Sequence, residues 1–224
     1  MEIDHTKAAY MFDGITNGIL PDKMAETIRS FLATENVYIS ATREIATKLE
    51  NLNCEFKYAM DRNPIHQIIT RIKSPKSIMD KLIRKNYELN FKSAQENLND
   101  IAGIRVICSY IDDIYLIADM LTSQDDIELI RKTDYIKNPK PNGYRSLHLI
   151  LTVPVFLSKR TERIRVEIQI RTIAMDFWAS LEHELAYKIG DEGQDDVTAE
   201  LKSCADVIAS TDIRMQRLYN RVRV

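Results

Sequence analysis

Hydrophobic residues at helical spacing open the readable part of the chain. Met24, Ile28, Phe31 and Leu32, then Ile45, Leu49 and Leu52, recur every three or four positions and predict a helix from Asp22 to about Phe56. The pattern then shortens. Residues 66–73 read as a strand, and Ser74 and Pro75 suit the N-cap and first position of a helix reaching about Asn86, with Ile78, Met79, Leu82 and Ile83 on its buried side. An apolar, β-rich run at 101–109 predicts a strand, 111–121 a short helix and 127–132 another strand. Pro139, Pro141, Asn142 and Gly143 mark a loop. Strands at 144–153 and 163–171 follow, joined through Pro154 and a basic, polar connection. A helix at 172–188, with Thr172 as its cap and Phe177, Trp178, Leu181 and Leu185 as core positions, leads to an acidic loop at 190–196 and a polar helix from about Val197. Residues 1–20 carry only turn signals, at Asp13-Gly14 and Asn17-Gly18. Strands interleaved with helices predict an α/β (α+β) core sheet. The expected organisation is an N-terminal helical extension at 1–60, a core at 61–190 and a C-terminal helix at 191–224.

Composition narrows the function classes. With 224 residues, 45% of them hydrophobic, the chain can bury a proper core. A net charge of −2 gives no general attraction to nucleic acid or anionic membrane, so any anion site must come from local clustering. Cys54, Cys108 and Cys204 are far apart and form no C-x-x-C pair, which reads as reduced thiols in a cytoplasmic protein. No apolar run approaches the roughly 20 residues a spanning helix needs, and no signal-type segment opens the chain.

Five segments carry candidate chemistry. In residues 163–171, Ile164, Val166, Ile168 and Ile170 share one strand face, and Arg165, Glu167, Gln169 and Arg171 share the other. The polar face suits either solvent or a charged floor for a metal-phosphate ligand. Asp100 stands at the mouth of the 101–109 strand and offers the hard oxygen that Mg²⁺ prefers; the alternative is a turn cap. Arg105 breaks an apolar run, as an ion-pair partner or a ligand contact, and Gly103 suits close backbone approach. Residues 71–85 hold Arg71, Lys73, Lys76, Lys81, Arg84 and Lys85 against Asp80 alone. Ser77, Lys81, Arg84 and Lys85 share one helical face beside a helix N-terminus, a fit for a triphosphate. A solvated face or an RNA backbone would use the same charges, but no aromatic interleaves until Tyr87 and Phe91. Tyr144, Ser146 and His148 are expected on one strand face, where Tyr144 could stack on a base and His148 could donate to a phosphate or ribose. Asp176 and Glu182 could face the ligand side of the sheet, and a carboxylate at 176 could accept from guanine. His183-Glu184 does not begin an H-E-x-x-H motif, because position 187 is Tyr, and neither G-x-x-x-x-G-K-[ST] nor G-x-G-x-x-G occurs.

Taken in order, these motifs resemble the synthetase domain of RelA/SpoT-type (p)ppGpp synthetases, and most of all the small stand-alone alarmone synthetases. The resemblance is carried by Arg71-Ile72-Lys73-Ser74-Pro75 through Arg84-Lys85, Asp100-Ile101-Ala102-Gly103-Ile104-Arg105, Gly143-Tyr144-Arg145-Ser146, His148, Glu167-Ile168-Gln169-Ile170-Arg171-Thr172 and Met175-Asp176-Phe177-Trp178. It spans about residues 65–190.

The resemblance implies a nucleotidyltransferase-like mixed five-stranded sheet flanked by helices. The implied activity is transfer of pyrophosphate from ATP to the 3′-hydroxyl of GDP or GTP, releasing AMP, in the bacterial stringent response. Carried onto this chain, Arg71 and Arg105 would sandwich adenine, with Lys73, Ser77, Lys81 and Arg84 on the phosphates and Glu182 also on the ATP side. Asp100 would bind Mg²⁺, and Glu167 would assist the metal and act as base. Tyr144 would stack on guanine, with Lys140, His148 and Gln169 near the acceptor. Asp176, where relatives carry Asn or another polar residue, would contact the guanine edge. A motif linked in the family to the choice between GDP and GTP, R-x-K-D, is here Arg131-Lys132-Thr133-Asp134, with Thr at its third position. The chain has no His-Asp dipeptide of the kind that marks the family's hydrolase, so synthesis without hydrolysis is expected. Family members commonly form homotetramers, which makes self-association a further expectation; no membrane partner is implied.

Overall fold

The computed structural model describes residues 22–59, 62–188 and 194–222, with side-chain environments for 35–59, 62–185 and 196–222. The turn signals at Asp13-Gly14 and Asn17-Gly18, the packing of Met24, Ile28, Phe31 and Leu32, and most of the acidic 190–196 loop lie outside the described residues. In chain order the elements are α1 (Asp22–Ala59), β1 (Ile65–Ile72), α2 (Pro75–Arg84), α3 (Phe91–Asn97), β2 (Ala102–Cys108), α4 (Ile111–Thr122), β3 (Glu128–Asp134), β4 (Leu147–Phe156), β5 (Thr161–Thr172), α5 (Ile173–Lys188) and α6 (Gln194–Val222). The strands form one mixed sheet in the order β1-β2-β5-β4-β3. Only β2 and β5 run parallel; the other neighbours are antiparallel.

The period-2 pattern decides the two faces. Ile164, Val166, Ile168 and Ile170 of β5 are buried beside Ile104 and Val106 of β2 and Leu147, Leu149 and Leu151 of β4. Ile45 and Leu49 of α1, and Ile114, Ile117 and Leu121 of α4, belong to the same core. Each fully buried aliphatic side chain here favours folding by about 1.5–3 kcal/mol. The opposite face of the central strands presents Gly103, Arg105, Glu167, Gln169 and Arg171.

The structure departs from the sequence reading at four places. α3 was not anticipated: it is only seven residues long and is started by Asn90, whose side chain accepts from Ser93 N at 2.7 Å. β4 begins at Leu147, so Tyr144 and Ser146 precede the strand. Gly143 there has φ +91°, which turns the chain before the ladder can start. On α2 only Ile78 and Leu82 are buried, and Met79 and Ile83 face outward. On α5 the buried residues are Met175, Trp178 and Ala179, while Phe177, Leu181 and Leu185 are exposed. Trp178 and Ala179 pack on Ala205 of α6, and the Trp178 indole donates to Leu201 O at 2.8 Å. That contact sets the rotation of α5 and leaves the Phe177 row outside.

Candidate active site

The pairing of β1 with β2, and of β2 with β5, brings three polar strand faces edge to edge. Arg71 is opposite Gly103, Gly103 is opposite Glu167, and Arg105 is opposite both Ile69 and Gln169. Together with Lys73, Asp100 and Ile104 these residues line a cavity of about 310 Å³. Asp100 and Glu167 therefore share one cavity on one side of the sheet. Gly103 leaves part of that cavity open. A Cβ there would meet only Arg71 O at 3.8 Å and Glu167 O at 3.9 Å, so neighbouring backbone does not demand the glycine.

Asp100 is the anionic centre of the cationic side. Its Oδ2 accepts from Lys73 at 2.5 Å and from Lys81 at 2.7 Å. Lys73 follows β1 and Lys81 comes from α2, whose start is fixed by Ser74 accepting from Ser77 N at 3.3 Å. Ser74 and Ser77 hydroxyls are also hydrogen bonded, at 2.9 Å. Burial pushes the Asp100 carboxyl up, but the hydrogen bonds and charges of Lys73 and Lys81 outweigh it and hold the group below the ordinary aspartate range. Its other oxygen, Oδ1, is buried and without a hydrogen-bond partner among the described residues. A buried carboxylate oxygen left unpaired is costly, and it is the donor a hard divalent cation takes. No group of three or more potential metal ligands occurs among the described residues. Asp100 Oδ1 fits one ligand position of a divalent ion whose other positions phosphate oxygens or water would fill, which is how Mg²⁺ is usually bound.

Glu167 sits where the cationic side meets an aromatic side. Burial raises its carboxyl, yet the hydrogen bond and charge of His148 and the hydrogen bond of Gln169 bring it below the ordinary glutamate range, against a smaller opposing push from Asp100. Gln169 Nε2 donates to Glu167 Oε2 at 3.0 Å, and His148 Nδ1 lies 3.5 Å from Oε1. The Tyr144 hydroxyl is 2.8 Å from His148 Nε2. Tyr135, Tyr144 and His148 meet edge to face, and the Lys140 ammonium lies 4.9 Å from the Tyr135 ring centre and 4.6 Å from that of Tyr144. This box of π-faces and cations offers a platform for a flat base beside an ionised carboxylate.

The sequence gives Tyr135 no role, and gives Arg171 only a place in the charged row of residues 163–171. Tyr135 directly follows the Arg131–Asp134 motif on the edge strand, and its place in the box depends on the β3–β4 register. Arg171 is 4% exposed and contacts Tyr144, Gln169, Asp176 and Ser146 at once. The remaining residues fall as follows. Asp176 Oδ1 is 3.2 Å from both Arg105 and Arg171, so its carboxylate bridges the two arginines. Burial beside Arg171 lowers the Arg105 guanidinium, and its Nε is buried with no hydrogen-bond partner among the described residues. Glu182 stands with the 140–144 loop instead of the Arg71–Arg105 cavity, accepting from Asn142 at 3.2 Å. Arg84, at the end of α2, is exposed. In the Arg131–Asp134 motif, Asp134 accepts from the Tyr115 hydroxyl and from Ile136 N and Lys137 N, a turn-capping arrangement.

The loop that carries Lys140 and Tyr144 is seated on α6. An added Cβ on Gly143 would lie 2.6 Å from Ala205 Cβ. Arg145 donates to Ala205 O at 3.3 Å and pairs with Asp206 at 3.0 Å. The C-terminal helix, which carries no motif of its own, thereby anchors the aromatic side.

Comparison with known proteins bears on the family and the fold. Residues 70–192 match the family described as "Region found in RelA / SpoT proteins". The chain is 45% identical over 186 residues to the GTP pyrophosphokinase YwaC of Bacillus subtilis, covering 83% of this chain and 89% of that protein. It is 34% identical to the GTP pyrophosphokinase YjbM of the same organism, covering 83% and 87%. The crystal structure of small alarmone synthetase 1 from Bacillus subtilis bound to its product pppGpp matches with a TM-score of 0.79 at 32% identity, over 88% of this chain and 100% of that one. Small alarmone synthetase 2 from that organism matches with a TM-score of 0.77 at 41% identity, over 85% and 98%. The fold, the ordered motifs and the extent of these matches place the chain in the RelA/SpoT family, among its small alarmone synthetases.

Proposed function

We propose that this chain synthesises ppGpp and pppGpp by moving the β,γ-pyrophosphate of ATP to the 3′-hydroxyl of GDP or GTP, with release of AMP. The observation that carries the reading is the single cavity shared by Asp100 and Glu167, with cations on one flank and the Tyr135–Tyr144–His148–Lys140 box on the other.

On the cationic flank, Arg71 and Arg105 hold the adenine and Lys73, Ser77, Lys81 and Arg84 neutralise the phosphates. On the aromatic flank, Tyr144 stacks on guanine, with Lys140, His148 and Gln169 around the acceptor. Asp176 orients Arg105 and reaches toward the guanine edge, and Glu182 supports the loop through Asn142. Phosphoryl-type transfer rests on positioning and charge neutralisation, which these side chains supply. Glu167, ionised at neutral pH, takes the proton of the 3′-hydroxyl as the oxygen attacks the β-phosphorus and AMP leaves. Asp100 Oδ1 and Glu167 would hold a divalent ion, Mg²⁺ in this reading, which when bound would polarise the transferring group and offset its charge. No residue assigned here serves hydrolysis of the product. Domains follow the division into an extension over 1–60, a core over 61–190 and a helix over 191–224. A cytoplasmic location fits nucleotide substrates, and no helix among the described residues is long and apolar enough to cross a membrane.

Self-association belongs to the same proposal. Ile173, Phe177, Leu181 and Leu185 recur every fourth residue on α5 and are all exposed, a row that a second copy could cover. The activity is tested by supplying Mg²⁺, ATP and either acceptor and identifying the leaving group. AMP supports pyrophosphate transfer; pyrophosphate release would point instead to transfer of AMP.

A further inference from the structure

Arg171 is not at the cavity wall, yet its guanidinium begins two chains of polar contacts, one of hydrogen bonds throughout and one closed by a 3.5 Å ion-pair contact, that end on the two oxygens of one carboxylate. In the first, an Arg171 Nη2–H donates to Gln169 Oε1 at 2.7 Å, and Gln169 Nε2 donates to Glu167 Oε2 at 3.0 Å. An amide can be turned either way in such a site. With Arg171 on its oxygen, only the NH₂ side can face Glu167. In the second, Arg171 Nη2 donates to the Tyr144 hydroxyl at 2.6 Å. That hydroxyl is also hydrogen bonded to His148 Nε2 at 2.8 Å. The other imidazole nitrogen, Nδ1, lies 3.5 Å from Glu167 Oε1. A guanidinium has donors and no acceptor, so Arg171 is the donor at the head of both chains.

We infer that Arg171 is a positioning residue that fixes the orientation of Glu167 through Gln169 and through Tyr144 and His148. This rests on Glu167 being the base of the proposed reaction. Asp176 and the burial of Arg171 serve the same end: Nη1 is held on Asp176 at 3.2 Å and Nε on Ser146 at 3.4 Å, so Nη2 is left pointing at the two relays. The Tyr144 ring, 5.0 Å from the guanidinium carbon, fixes the plane of the fork. A base displaced by about 1 Å loses about 10²-fold in rate, so the relays need not contact substrate to matter.

The test is a triple-mutant comparison in steady-state kinetics, with folding checked by thermal melting. Arg171→Met should lower kcat by about 10–100-fold while KM for ATP stays within about twofold. Tyr144→Phe with Gln169→Met keeps the Arg171 side chain, removes both acceptors of its Nη2 and so cuts both relays, and should reproduce that loss. In that doubly cut background, adding Arg171→Met should cost no more than about threefold, because residues acting through one another are not additive. A full, multiplied loss in that background would overturn the inference, as would wild-type kcat in the relay-cut double variant. The latter variant decides the matter even if Arg171→Met fails to fold. Glu167→Gln in the same assay separates the two claims. If it retains full activity, the base assignment itself falls; if it is inactive and the Arg171 losses multiply, only the positioning role falls.

Discussion

Gly103 of β2 and Glu167 of β5 are direct partners across the parallel strand pair, so the residue without a side chain opens the floor of the cavity that the carboxylate borders. Gly103→Ala separates space needed by the fold from space needed by a ligand. Nothing in the protein collides with the new methyl group, and its backbone is not in the positive-φ region. The melting temperature should hold or rise slightly, in line with about 0.4–1 kcal/mol from reduced freedom of the unfolded chain. ATP affinity, measured by calorimetry, should fall. Unchanged ATP affinity in the folded variant would show that the cavity is not the nucleotide site.

Gly143 behaves in the opposite way. At φ +91° and with Ala205 Cβ 2.6 Å from an added Cβ, Gly143→Ala should destabilise the protein by about 1–3 kcal/mol and raise KM for the guanosine acceptor more than for ATP. Ala205→Gly in the same chain should restore part of the stability, since it removes the collision and leaves the backbone strain. A folded Gly143→Ala enzyme with ordinary acceptor KM would contradict the anchoring of the loop on α6.

The fold was legible where the chain repeats a period over a whole element. The alternation in β5 predicted both its buried isoleucines and its polar row of Arg165, Glu167, Gln169 and Arg171, because strand geometry alone assigns alternate residues to opposite faces. The capped start of α2 was legible for the same local reason, with Ser74 accepting from Ser77 N. Tertiary contacts were not. Which face of α5 is buried depends on Trp178 finding Leu201 and Ala205 of a helix more than 20 residues away, so the equally periodic Phe177, Leu181 and Leu185 were placed in the core. Tyr135 joins the aromatic box through register with β4, and Arg171 becomes a hub only once β5 lies beside the Tyr144 loop. Local spacing puts Arg171 in the polar row of β5 but shows none of these contacts, and it leaves Tyr135 unmarked.

Asp100 predicts a pH dependence with a definite sign. Its carboxyl is held below the ordinary range by Lys73 and Lys81 despite burial. Its ion pairs therefore stabilise the fold fully above the ordinary aspartate range, and that contribution is lost as pH falls through the lowered value. Urea midpoints of the wild-type protein and of Asp100→Asn should differ by a constant amount from pH 7 down to about pH 4 and converge only below it. Because both lysines and Asp100 are partly exposed, the stability gap should be modest beside the loss of activity. Convergence between pH 7 and 5 would contradict the arrangement.

The exposed row on α5 predicts an assembly. Phe177→Glu with Leu181→Glu should shift the mass found by light scattering from a multiple of the 25.9 kDa chain to that of a single chain, with the fold intact by circular dichroism. A wild-type chain that is monomeric at micromolar concentration would remove the reason for that row.

The central claim is that Asp100 and Glu167 act together on a pyrophosphate moving between two nucleotides. Its most direct test is to incubate the folded protein with Mg²⁺, γ-labelled ATP and GDP or GTP, beside Asp100→Ala and Glu167→Gln. The wild-type chain should place the label in guanosine tetra- or pentaphosphate with matching AMP, and Glu167→Gln should lose about 10²–10⁴-fold in rate while still binding ATP. A folded wild-type protein that leaves the guanosine nucleotides unlabelled, or a Glu167→Gln variant as fast as wild type, would contradict it.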